Sequence, residues 1–384
     1  MIKLEDVCKT YPDGTEAVKN LNLDVNEGEF CVFLGPSGCG KTTSLKMINR
    51  LIPLSSGKIY INDKEITQVN VNELRRDIGY AIQNIGLFPH LSVAQNIATV
   101  PMLKKWSKDK QRKRAEELLD LIGMDPSVYM DRFPAELSGG QQQRVGVARC
   151  LGADPPVLLM DEPFGAIDPI TRTRLQDEFL KIQAKLKKTI VFVTHDINEA
   201  IKMGDTIALM RKGELVQYAD AATLLDEPKN EFVRDFVGAD RVLKSLRLHR
   251  TRDVMQDAPV LAREGDRPEK VLDEMNKAKI NWAIMVDAND RLLGWLVKKD
   301  MKTAKDLMDV LEETAVSADP ATPLNDALSM MLHSAIGNLA VTDDHDKFLG
   351  VITFPIIRDL LAGQTEEDDD EEENEPAAKG GEEE

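Results

Sequence analysis

The segment that most constrains this 384-residue chain is Gly35-Pro36-Ser37-Gly38-Cys39-Gly40-Lys41-Thr42. It fits G-x-x-x-x-G-K-[ST], and its flanks supply the context that pattern needs. Before it, Glu29 to Leu34 (EFCVFL) is a short apolar run of strand formers. After it, Thr42 to Leu51 carries helical spacing until Pro53 stops it. A strand that turns through glycines into a helix aims backbone N–H groups and the positive end of the helix dipole at one point, where a phosphate belongs. Lys41 is expected to reach the β- and γ-phosphates of a bound nucleotide, and the Thr42 hydroxyl to ligate Mg²⁺.

Two more strands lead to the same place. Val157-Leu158-Leu159-Met160 is uniformly apolar, as in a central parallel strand buried on both faces, and it ends in Asp161-Glu162. Two carboxylates then stand at the carboxyl end of a strand, where open α/β sheets bind ligands. Asp161 is expected to hold Mg²⁺ through its water shell, and Glu162 to polarise an attacking water. The run Thr189 to Thr194 delivers His195 to that end, where it can keep the water and Glu162 in register.

Alongside these residues stand Tyr11, Gln83, Leu137-Ser138-Gly139-Gly140-Gln141 and Gly165-Ala166-Ile167-Asp168. In this order, over residues 1 to about 240, the set resembles that of ATP-binding cassette (ABC) ATPases. The resemblance implies an α/β fold, a P-loop ATPase cassette with a helical subdomain at about 88–155, and ATP and Mg²⁺ as its ligands. It implies that Tyr11 stacks on adenine, that Thr43 joins the phosphate loop, and that Gln83 links the Mg²⁺ site to a membrane subunit. Asp168 would signal across a homodimer, Ser138, Gly139 and Gly140 of one subunit would complete the ATP site of the other, and Gln141 would join the nucleotide-binding set.

The stretches Lys46 to Leu51, Ile78 to His90 and Asp161 to Ala166 resemble more narrowly the ATPases of quaternary-amine importers, for glycine betaine, carnitine or choline. That resemblance implies integral membrane permease subunits as partners and, through them, a solute-binding protein. An importer ATPase for another small solute, and a soluble ABC ATPase governed by an adenine nucleotide, are the competing readings.

Composition removes other classes. No apolar run approaches the ~20 residues that a membrane helix needs, and Met1 to Asp6 show no basic head before an apolar stretch. A peripheral protein on the cytoplasmic side of the membrane is the expectation. The net charge of −17 is mostly a tail: residues 366 to 384 hold twelve acidic groups against Lys379, leaving −6 for everything before them. Nucleic-acid binding is not indicated, and residues 363–384 are expected to be disordered. Cys8, Cys31, Cys39 and Cys150 show no paired spacing, so neither disulfide nor zinc is expected. Cys39, inside the phosphate loop and near Lys41, is expected to be a reactive thiol.

The second half repeats itself. A shift of 56 positions superimposes Val260 on Val316, Leu272 on Leu328, Met275 on Met331, Asp287 on Asp343, Leu293 on Leu349 and Gly294 on Gly350 without a gap. Each copy reads as strand, helix, apolar strand, acidic turn and second strand. This resembles an α+β tandem CBS module, with repeats at 252–306 and 307–362. Such modules often bind adenine nucleotides through a Thr and an Asp after the glycine. Here one copy has Gly294, Val297 and Asp300, the other Gly350, Thr353 and Ile356, so neither holds both groups. Regulation by ionic strength through the repeats is the expectation, with nucleotide binding and plain dimerisation left open beside it. Between cassette and repeats, at 241–251, Arg241, Lys244, Arg247 and Arg250 recur at steps of three. A linker helix with a basic side is expected, either solvated or set against anionic lipid.

Overall fold

The structure is a computed structural model and describes residues 1–82, 86–165, 168–301, 304–313, 316–333 and 337–361. It divides into two compact units, Met1–Gly238 and the chain from Ala239 onward.

The first unit is built on two sheets. One is antiparallel, from β1 (Ile2–Thr10), β2 (Glu16–Val25), β4 (Ser56–Ile61) and β5 (Lys64–Glu65), in the order β2-β1-β4-β5. The other runs β10-β9-β3-β8-β7-β6, from β3 (Phe30–Leu34), β6 (Ile78–Ala81), β7 (Val157–Asp161), β8 (Thr189–Val193), β9 (Thr206–Arg211) and β10 (Glu214–Ala219). All its pairs are parallel except β9 with edge strand β10. Every residue of β3, β7 and β8 is buried, which accounts for their unbroken apolar runs: a strand covered on both faces has no use for alternation.

One face of the parallel sheet packs on the antiparallel sheet and on helix Lys41–Ile48, with Cys31, Phe33, Leu159 and Val191 meeting Leu21, Leu45 and Ile59 in a single core. The other face carries Phe30, Phe164, Phe179 and Phe192, whose rings lie 5.7–6.3 Å apart. Between β6 and β7 the described chain is helical, with Lys108–Leu121 and Gly139–Leu151 the longest members.

In the second unit the 56-residue repeat becomes a pseudo-two-fold. β11 (Leu261–Arg263) runs parallel to β12 (Trp282–Val286), which with β13 (Leu292–Val297) forms a hairpin matched by β15 (Asn338–Thr342) and β16 (Phe348–Thr353). The hairpins meet at their turns: Leu292 N donates to Asp346 O and Phe348 N to Asp290 O, both at 2.9 Å. Each copy also lends its leading segment to the other. Trp295 of β13 pairs with Glu312 of β14 (Leu311–Glu313), and Val351 of β16 pairs with Gln256, the same relationship seen from the other side. Ile284, Val286, Trp295, Ala340 and Val351 fill the seam, with Trp282 edge-on to Trp295 at 5.5 Å.

This exchange gives Gly294 and Gly350 a structural reason. A Cβ at Gly294 would lie 2.3 Å from Glu312 O, and one at Gly350 would lie 3.0 Å from Gln256 O, so the incoming strand requires the missing side chain. The basic side expected along 241–251 does not form. The helix spans only Arg241–Ser245, Arg250 has an extended backbone (φ −108°), and Lys244 pairs with Asp240 at 2.6 Å. Leu246 is fully buried against Leu324, Leu339 and Ile352. Core packing there outweighs helical continuity.

Candidate active site

The phosphate loop leaves β3 at Leu34 and closes on helix Lys41–Ile48 through three glycines of positive φ, Gly35 (142°), Gly38 (79°) and Gly40 (107°). Two of them have no room for a side chain: a Cβ would come 2.2 Å from Met210 O at Gly35 and 2.5 Å from Ala17 O at Gly40. Lys41 is 5% exposed, and its ammonium donates to Gly35 O at 2.6 Å and Pro36 O at 3.0 Å. Cys39 Sγ lies 3.8 Å from that ammonium. Its side chain is buried, which corrects the expectation of a readily reactive thiol, because a reagent needs access as well as a nucleophile.

Thr42, one residue into the same helix, donates its hydroxyl to Asp161 Oδ1 at 2.7 Å. Burial pushes the Asp161 carboxyl above the usual carboxylate range, while the Thr42 hydrogen bond, Lys46 and Lys41 pull it back and Glu162 adds repulsion. A hydroxyl and a carboxylate held together are the oxygen donors that a hard divalent cation takes.

Asp161 of β7 pairs in register with Val193 of β8, so the residues that follow the two strands emerge side by side. Glu162 Oε1 stands 3.4 Å from His195 Nδ1, with the histidine more open to solvent (62%) than the carboxylate (22%). Glu162 holds a left-handed backbone, φ 46°, fixed by Glu162 N donating to Val193 O at 3.1 Å and by Gly165 N donating to Glu162 O at 3.1 Å. A non-glycine residue in that region is under local strain, and such residues concentrate at functional sites.

One member of the site was missed in the sequence. Glu199, buried, accepts from Thr194 Oγ1 at 2.6 Å and from Gln176 Nε2 at 3.0 Å, and burial raises its carboxyl above the ordinary range. It ties the residue before His195 to helix Pro169–Leu186. Asp168 caps that helix by accepting from Thr171 N at 3.0 Å, a bond that lowers the Asp168 carboxyl below its usual range. Glu199 lies in the first turn of helix Ile197–Met203, so by position it passes for an acid placed against the helix dipole.

Other sequence-predicted residues lie apart from this cluster. Ser138 caps helix Gly139–Leu151, accepting from Gln141 N at 3.3 Å, and Gln141 Oε1 accepts from Ser138 N at 2.9 Å. Ser138 and Gly139 are exposed, and among the described residues no hydrogen bond joins Ser138, Gly139 or Gly140 to the phosphate loop. Tyr11 sits in the turn after β1 with the Lys9 ammonium 5.1 Å over its ring. Pro36, Ser37 and Thr43 follow the loop and its helix, whereas Gln83 and Ala166-Ile167 lie outside the described residues.

With this geometry in hand, comparisons with known proteins give one answer. The family model described as ABC transporter matches residues 18–165, and the CBS domain model matches twice, at 252–307 and 304–363. The glycine betaine/carnitine/choline transport ATP-binding protein of Bacillus subtilis is 44% identical over 94% of this chain and 96% of its own length. The osmoprotectant import ATP-binding protein of Salmonella typhimurium is also 44% identical, over 94% of this chain and 96% of its own. Among solved structures, an ATP-binding cassette captured as a dimer after hydrolysis, with ADP and phosphate, is 37% identical and covers 57% of this chain and 98% of its own, at a TM-score of 0.52. The chain belongs to the ABC-transporter ATP-binding proteins that carry a tandem CBS pair, the family of these betaine, carnitine, choline and osmoprotectant transport subunits.

Proposed function

We propose that the chain is the ATP-hydrolysing subunit that powers import of a quaternary-amine compatible solute, such as glycine betaine, carnitine or choline. The observation that carries this reading is a single cluster at the strand ends: Lys41, the Thr42–Asp161 pair and the Glu162–His195 pair.

In this reading Lys41 exchanges its loop carbonyls for the β- and γ-phosphates, and the loop N–H groups fix their orientation. Thr42 and Asp161, with Gln83, would hold Mg²⁺, which when bound neutralises charge on the phosphate oxygens. Glu162 orients a water for in-line attack on the γ-phosphorus and accepts its proton as the bond from that phosphorus to the β–γ bridging oxygen breaks and ADP leaves, and His195 keeps Glu162 and the water aligned. Glu199 positions His195 through Thr194. Tyr11 stacks on the base.

The segment Ser138-Gly139-Gly140, exposed at its first two residues and, among the described residues, without a hydrogen bond to its own phosphate loop, supports its use in trans, so the working form is a homodimer. A groove of about 350 Å³ beside β6 supports a permease contact; Tyr80, Ile82 and Phe88 supply apolar wall, and Arg75 and Arg149 the rim. An elongated segment from each permease subunit would seat there, placing the chain on the cytoplasmic face of the membrane. Among the described residues no helix is long and apolar enough to cross it. The repeats, with residues 241–251 as part of their fold rather than a free linker, act as one regulatory body.

The test is purification with the co-encoded membrane proteins and reconstitution in vesicles. ATPase activity stimulated by a quaternary-amine solute supports the assignment. Stimulation only by solutes of another class would remove it while leaving the motor intact.

A further inference from the structure

Away from the cluster just described, the β9–β10 turn opens a concavity of about 500 Å³. Four cations converge on it from separate stretches: Lys19 of β2, Arg211 at the end of β9, Lys212 of the turn, and Lys229 ahead of helix Glu231–Val237. The carboxylate among the lining residues is Glu214, 3.8 Å from Lys19, which Glu16 also approaches at 3.6 Å. Among the described residues, Arg211, Lys212 and Lys229 have no carboxylate within 4.0 Å. Arg211 is instead held with its guanidinium 4.2 Å from the centre of the Phe232 ring. Like charges gathered on one concave surface repel unless an anion joins them, and a hollow of this size matches small-molecule sites.

We propose that this cavity is a second anion site, taking a phosphate group that carries an organic portion. The cations receive the phosphate, and Leu215, Val216 and Phe232 supply an apolar wall for the rest. A soluble phosphate monoester and a phospholipid headgroup share this chemistry.

The site is wired to the phosphate loop through the backbone. Gly213, next to Lys212, donates its N–H to Cys39 O at 3.1 Å and accepts from Lys19 N at 2.8 Å. Gly35 and Gly40 leave no room for a Cβ against Met210 O and Ala17 O, on the same two strands. An anion that draws Lys19 and Lys212 together therefore strains or relaxes the loop that holds ATP, without sharing a residue with it.

The experiment uses the full chain with its nucleotide site filled by Mg²⁺ and AMP-PNP, so that added phosphate cannot enter there. Calorimetric titration with glycerol 3-phosphate and flotation with equimolar phosphatidylglycerol–phosphatidylcholine vesicles are each run on the wild type and on the Lys212→Ala/Lys229→Ala double variant. Both changes fall on exposed side chains. We expect saturable binding that weakens about thirtyfold in the double variant. Loss confined to glycerol 3-phosphate assigns the site to soluble phosphates, and loss confined to vesicles assigns it to headgroups. Binding of neither probe, or binding that the double variant leaves unchanged in both, overturns the proposal.

Discussion

Glu162 and His195 face each other across the ends of two neighbouring strands, Oε1 3.4 Å from Nδ1, and Glu162 reaches that position only by adopting a left-handed backbone. The carboxylate is thus aimed by main-chain geometry, and its chemistry can be separated from its placement. Glu162→Gln keeps the shape and loses the base. Turnover should fall by about 10²–10⁴ while ATP affinity is retained, and sedimentation with ATP should show a stable dimer. Near-normal turnover would take Glu162 out of its assigned role.

Lys41 is buried, with its ammonium against two loop carbonyls. Lys41→Ala should lower ATP affinity by at least tenfold, because a charge-assisted bond to phosphate disappears. Fluorescent-nucleotide titration measures it. Unchanged affinity would contradict the phosphate-loop assignment.

Asp161 has a raised carboxyl in the folded chain, so the folded state binds its proton more tightly than the unfolded state does. Stability without Mg²⁺ should then fall as pH rises from the ordinary carboxylate value through the folded one, and stay reduced above it. Asp161→Asn removes that cost. Its melting temperature at neutral pH should exceed the wild type's, by about 2–4 °C for each kcal/mol gained, and the difference should shrink toward acid pH. Mg²⁺-dependent ATPase should be lost in the same variant. A lower melting temperature at neutral pH would show that the Thr42 bond outweighs burial.

In the proposed mechanism Glu199, which accepts from Thr194 Oγ1 at 2.6 Å, acts through Thr194 on His195. Glu199→Gln should reduce kcat more than KM and alter the pH profile of kcat. Thr194→Val, which leaves Glu199 without one of its donors, should destabilise the cassette by about 1–3 kcal/mol. A uniform loss of folded protein with an unchanged pH profile in Glu199→Gln would mark the network as purely structural.

Leu246 lies within the segment that its charges present as a linker, yet it is fully buried in the repeat unit. Leu246→Ala should cost about 2–5 kcal/mol in unfolding of that unit, measured by denaturant titration. Loss below about 0.5 kcal/mol, the usual size for a surface position, would restore the linker reading.

Much of the site was legible because its chemistry is local. The phosphate loop is eight consecutive residues, and Asp161-Glu162 and His195 each follow an apolar run, so sequence order alone puts them at strand ends. What escaped was long-range or conformational. The hydrogen bond that fixes the left-handed Glu162 runs to Val193, and Glu199 gains its meaning from Gln176, which lies on another helix. In the repeats, the 56-residue shift identified the copies but could not show that Gln256 pairs with Val351 rather than within its own copy. The basic stripe at 241–250 misled because spacing counts charges and ignores what the core asks of the leucines between them. Tail residues 363–384 lie outside the described chain.

The reciprocal pairing of Trp295 with Glu312 and of Val351 with Gln256 has an evolutionary corollary. A single ancestral copy of this unit would have had an unpaired sheet edge and a leading strand with nowhere to go, and exposed edges invite association. Such a copy could become stable by swapping that strand with an identical chain. Gene duplication would then have covalently joined what was once a dimer, freeing Trp282 and Asn338, which occupy equivalent positions, to diverge. A deletion that removes either copy should therefore turn the remainder into a self-associating fragment rather than a smaller regulator.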